Sequence, residues 1–242
     1  MDTLWLQFVQ WLHRAGLHVD AGVAQGVAEG AAQVTQKLDM PALLALAAAL
    51  GWASGFRLYA VVFLVGGMGA LDWLALPPGL QVLQHPAVLL VSGFMLAVEF
   101  FADKVPLLDS AWDGLNAFVR IPGGALLAAG VFGADNATMG VVAGLLGGSL
   151  AATSLATKMA TRAAVNTSPE PFSNGLVSLF EDGLVVAVVW LATQHPLWFG
   201  VALVVMLLLS ALLLVVLFQF LRAVLQRLRR IPSFFSGSAK VV

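Results

Sequence analysis

Four ionisable residues, Arg57, Glu99, Glu181 and Asp182, fall inside stretches of sequence that are otherwise apolar. Charges so placed can neutralise one another, bind an ion or polar solute, or pass protons. Asp103, Lys104, Lys158 and Arg162 stand at the edges of the same stretches and bring the set to four acids and four bases. In the middle of a bilayer each would cost roughly 2.5–3.5 kcal/mol if left alone. Lys104, Lys158 and Arg162 have the alternative of stretching to a membrane surface. Arg57, Glu181 and Asp182 lie too deep for that and need partners or water. Glu181 and Asp182 point about 100° apart on a helix, so one can pair with Arg57 while the other faces a polar cavity.

The elements that must hold these residues are membrane helices. Of 242 residues, 60% are hydrophobic and 10% charged, against roughly 25% charged in soluble domains. The apolar residues come in blocks of about twenty, the length that spans hydrocarbon. The blocks run over 42–70, 86–103, 115–134, 138–162, 172–193 and 196–221. The first exceeds a normal span and is interrupted by Gly51, Ser54, Gly55 and Arg57, so it must be tilted or broken near the glycines. The third contains Arg120, Pro122 and a Gly123-Gly124 pair, and reads either as a short span or as a re-entrant hairpin. The expected fold is all-α, a polytopic bundle of about six transmembrane helices. Three spans followed by three leave open a pair of inverted three-helix repeats.

Charge placement gives an orientation. Lys and Arg occur before residue 42, over 104–120, around 162 and in the tail, and are missing from 71–85, 135–137 and 194–195. This is the positive-inside pattern with both termini in the cytoplasm. Residues 1–40 form an interfacial segment in which Leu4, Phe8, Trp11, Leu12 and Ala15 share one helical stripe, on the membrane surface or against the protein itself. Residues 41–221 form the transmembrane domain and 222–242 a basic cytoplasmic tail.

Smaller motifs add detail. Gly140, Gly144 and Gly148 recur every fourth residue, a close-packing face for another helix. Ser149, Thr153, Ser154, Thr157 and Thr161 can serve their own backbone or a solute. The string Asn166–Asn174 is a proline-bound turn in which Ser173 or Asn174 can cap the next helix. Asp109 and Asp113, taken alone, read as a solvated loop face. The absence of cysteine excludes disulfides and thiolate metal sites. His13, His18, His85 and His195 all fall outside the apolar blocks, and no nucleophile-elbow or phosphate-loop motif occurs. An enzyme is therefore disfavoured, no cofactor is expected, and a metal is left open. A net charge of −1 gives no reason to expect nucleic acid.

Gly55-Phe-Arg-Leu-Tyr59, Glu99-Phe-Phe-Ala-Asp-Lys-Val-Pro106 with Asp109 and Asp113, Asn166-Thr-Ser-Pro-Glu-Pro-Phe-Ser-Asn174 and Glu181-Asp182 together resemble an uncharacterised family of multi-pass bacterial membrane proteins, domain of unknown function four-one-two-six. The resemblance covers about residues 42–221 and implies a multi-pass protein of the bacterial inner membrane, without an activity. Its motifs add Tyr59 and Asn166 to the candidate residues. The expected function is a transporter or channel for a small ion or polar solute, with Arg57, Tyr59, Glu99, Asp103, Lys104, Lys158, Arg162, Asn166, Glu181 and Asp182 along the pathway. The alternative is a scaffold or lipid-binding assembly protein. Expected partners are membrane lipids and the solute, with a homo-oligomer left open.

Overall fold

A computed structural model describes residues 39–105, 108–133, 136–167 and 171–229. The interfacial stripe before residue 39 and the tail beyond Arg229 lie outside the described residues. Within them the chain is helical: α1 (Met40–Ala70), a short 3-10 helix (Pro78–Gln84), α2 (Pro86–Ala102), α3 (Leu108–Phe132), α4 (Ala137–Val165), α5 (Pro171–Gln194) and α6 (Pro196–Arg229). Among the described residues there is no strand. Five helices are long and apolar enough to cross a membrane, or six if the 3-10 helix and α2, bent by 69°, count as one span. These are the helices of a membrane protein, as the apolar blocks predict.

Alanine and leucine favour helix in α1. Its start is fixed by Asp39, whose side chain accepts a hydrogen bond from the Ala42 N–H at 3.0 Å, with Pro41 in the first turn. At Arg57 the backbone leaves the helix (φ −149°, ψ 79°), two residues past Gly55. The break reverses the chain. Before it, a Cβ on Gly51 would stand 2.5 Å from Gly147 Cα. Next along, Ser154 Oγ donates to Trp52 O at 2.6 Å and Lys158 Nζ to Phe56 O at 3.1 Å. Rising numbers in this first arm thus follow rising numbers in α4.

After the break, Leu58 lies beside Gly123, Phe63 against Gly93 and Gly66 against Leu83 and Leu89. This second arm therefore runs antiparallel to α2, back toward the bundle end where Gly79 meets Gly130 and where α3 connects to α4. Both arms rise to that end and Arg57 is the apex of a re-entrant hairpin.

Of the two alternatives for the first block, tilt or a break near the glycines, the break is the one found, and it is a reversal. The third block, the one for which the sequence left a re-entrant hairpin open, is instead the continuous 25-residue α3 passing through Pro122. One consequence departs from expectation: Asp39 and the carboxyl end of α6 lie at opposite ends of the bundle. The broken α1 and the unbroken α4 also differ, so the two sets of three helices gain no support as repeats from their opening members.

Burial explains why the hairpin tolerates its break. The apolar window of α1 is 67% buried, whereas that of α6 is 6% buried, so α1 is the core and α6 faces outward. An irregular backbone deep in lipid persists only where protein surrounds it. Glycines allow the close approach. Gly147 packs on Ala128 and Gly124, while Gly140, Gly144 and Gly148 face α3 at Gly133, Ala125 and Ala129, as their spacing predicts. Ser149, Thr153, Thr157 and Thr161 donate to carbonyls four residues back in their own helix. Ser154 alone of the five hydroxyls also reaches another helix, at Trp52.

A Cβ on Gly55 would overlap Ala151 O and Ser154 Oγ, whereas one on Gly67 would meet nothing within 4 Å. Gly55→Ala is therefore expected to cost about 1–3 kcal/mol through overpacking. Gly67→Ala should gain up to about 1 kcal/mol from helix propensity. Thermal unfolding of the two variants in the same detergent checks this opposite sign.

Candidate functional site: a buried ion network at the hairpin apex

Polar residues recur along three helices at intervals of three and four, which places each set on one face. On α3 they are Asp109, Asp113, Asn116 and Arg120; on α4, Lys158 and Arg162; on α5, Asn174, Ser178 and Glu181. In a soluble helix such a stripe would face water. Here the three stripes face each other, and Arg57 from α1 with Glu99 and Asp103 from the end of α2 complete the set. Each of these side chains is buried.

Lys158 is the centre. Its ammonium lies 3.0 Å from Asp113 Oδ1, 3.4 Å from Asp103 Oδ2, 3.6 Å from Glu181 Oε2 and 3.7 Å from Glu99 Oε1. Three guanidinium groups surround this core. Arg57 bridges Asp103 (2.9 Å) and Asp182 (2.7 Å) and donates to Ser178 Oγ at 2.7 Å. Its contact with Asp182, through Nε, is an ion pair whose angle is not that of a hydrogen bond. Arg162 contacts Glu181 at 2.8 Å and Asp103 at 3.5 Å. Arg120 holds Asp113 at 2.7 Å and also pairs with Glu99.

The sequence-predicted residues mostly converge. Arg57, Glu99, Asp103, Lys158, Arg162, Glu181 and Asp182 belong to one network, and Lys158 and Arg162, fully buried, do not stretch to a surface. Glu181 and Asp182 both engage Arg57, Glu181 distantly at 3.9 Å. Asn166 stands at the edge, donating to Asp109 Oδ1 at 3.0 Å and accepting from Asn174 at 2.9 Å. Asn174 lies inside α5. Tyr59 donates to Asn116 Oδ1 at 2.9 Å, one step from the network.

Lys104 is peripheral. Its ammonium sits 2.7 Å above the centre of the Phe100 ring and donates to Phe100 O. Desolvation there draws its pKa below the ordinary lysine value, with Arg57 adding to the effect and the carboxylates of Asp182 and Asp103 opposing it.

Three charged residues were missed, along with the uncharged Asn116 and Ser178. Asp109 and Asp113, read as a solvated loop face, are fully buried, as is Arg120, which the sequence showed only as an interruption of an apolar block. The spacing of four, three and four from Asp109 to Arg120 was the available signal. With these additions the buried set comprises five acids (Glu99, Asp103, Asp109, Asp113, Glu181) and four bases (Arg57, Arg120, Lys158, Arg162), an excess of one acid; Asp182, half-buried at its edge, is the sixth acid. Counting the two half-buried groups, Asp182 and Lys104, together keeps the excess at one. Glu99 Oε2, Asp103 Oδ1 and Asp113 Oδ2 are buried without a protein hydrogen-bond partner. Among the described residues no group of three or more His, Asp or Glu is arranged to hold a metal ion. Asp182 alone among the six acids is not fully enclosed, with 29% of its side chain exposed.

No curated protein and no solved structure matches the chain. A family model does match, over residues 44–216, a range that holds the hairpin apex and every member of the network. The chain belongs to the family described as a domain of unknown function (DUF4126).

Proposed function

We propose that this protein carries a small ion across a bacterial inner membrane through the network at the hairpin apex, with the proton as the species best suited to it. The reading is supported above all by the excess of acids over bases at the point where a re-entrant helix breaks. A buried carboxylate beyond the number of its counter-charges is costly unless it gains a proton or a cation. A re-entrant helix that meets charged groups inside a bundle is also a recurrent way of building an ion pathway. Asp182, partly open and paired with Arg57, is the natural entry, and the carboxylates around Lys158 offer successive acceptors. In the membrane, the end bearing Lys104 and Arg222 faces the cytoplasm by the positive-inside pattern.

Purified protein in liposomes containing a pH-sensitive dye should dissipate an imposed proton gradient, and Asp182→Asn should reduce the rate to that of empty liposomes. Equal rates in wild type and Asp182→Asn overturn the site assignment. The full enclosure of Lys158 and its neighbours favours one other reading, a static scaffold whose ion pairs only fix helix packing. An intact, folded wild type that passes no ion under any gradient would establish it.

A further inference from the structure

A second feature meets the network from outside. The second arm of α1, α2 and α5 enclose a groove of about 400 Å³ on the side of the bundle, within the range of roughly 300–1,000 Å³ typical of small-molecule sites. It exists because α2 and α5 both pack on α1 and scarcely touch each other. The walls are hydrocarbon and aromatic, including Phe63, Ala97, Phe100, Phe101 and Val186, and the sole ionisable side chain in the lining is Asp182. Phe63 and Phe101 are strongly exposed, so the groove opens toward the lipid.

We infer that this groove binds a bulky organic cation, such as a quaternary ammonium or phosphonium compound, entering from the membrane. Three observations select that class. The groove presents phenylalanine rings, whose faces attract a desolvated cation; Lys104 takes one face of Phe100, and the exposed Phe63 and Phe101 remain for a ligand. Its polar end is a carboxylate. With Asp182 counted, the network's acids outnumber its bases by one even with Lys104 included, so a positive charge beside Asp182 offsets an imbalance that a negative charge would worsen. A phospholipid acyl chain would satisfy the walls and make no use of the exposed part of the Asp182 carboxylate that Arg57 leaves open. The inference goes beyond the proposed ion pathway and shares with it Asp182.

Equilibrium binding of tetraphenylphosphonium to the full chain in nanodiscs, against empty nanodiscs, tests it, with tetraphenylborate as the anion of matching shape. The phosphonium should bind saturably and the borate should not. Asp182→Asn should weaken the phosphonium by about tenfold or more, the scale of one desolvated charge contact. Ala97→Trp, which fills the groove and leaves every charge in place, should do the same. Comparable binding of both ions, or phosphonium affinity unchanged in both variants, overturns the inference. Loss of phosphonium binding in wild type that still passes protons refutes the groove alone. Phosphonium binding without proton flux refutes the ion pathway alone.

Discussion

Lys158→Met is expected to destabilise the protein by about 3–5 kcal/mol, the cost of stranding a buried charge partner. Methionine keeps most of the volume, so the loss reports the ammonium itself. Four carboxylates lie within 4 Å of that group, and without it their mutual repulsion is relieved only by the three arginines around them. Adding Asp113→Asn removes one of the stranded charges while Arg120 retains Glu99, and should recover part of the stability. Lys104→Met, at the periphery, should stay within about 0.5 kcal/mol of wild type. Unfolding in one detergent across the four proteins measures all of this. A Lys158→Met protein as stable as Lys104→Met would show that the ammonium is not what holds the carboxylates together.

Single cysteines should label in an all-or-none pattern that reports the reversal of α1. The chain has no cysteine of its own, so each introduced thiol is unique. Met40 and Asp72, exposed at the two ends of α1, lie on the same side of the bundle, and Thr167, exposed after α4, lies on the other. In sealed proteoliposomes of one orientation, a membrane-impermeant maleimide should reach Met40→Cys and Asp72→Cys from one side and Thr167→Cys from the opposite side. A first helix that crosses once would instead put Met40→Cys with Thr167→Cys. That outcome would remove the hairpin and return six crossings with both ends together.

The membrane architecture was legible because length and apolarity alone decide it: blocks of twenty residues with 10% charge overall have few other folds open to them. α2 began at Pro86 and ended within a residue of the expected boundary because proline and the Glu99–Asp103 charges mark its ends. The reversal at Arg57 was only half legible. Glycines and an arginine announced a break, but its angle depends on what packs on each arm, which no local pattern records. Asp109 and Asp113 were misread for a related reason. Acids next to a loop are usually solvated, and only their shared face with Asn116 and Arg120 distinguishes a helix that turns its polar side inward. The individual pairings, such as Arg120 with Asp113 two turns away, follow from that face; the partners of Lys158, drawn from α2, α3 and α5, do not.

A break in the middle of a helix also creates two new termini. The first arm of α1 ends at the apex with outward-pointing carbonyls and a partial negative pole, and the second begins there with amide groups and a partial positive pole. Lys158 answers the first pole directly through Phe56 O. The same ammonium therefore serves side chains and main chain at once. The hairpin apex and the charge network thus share one nitrogen as a common partner.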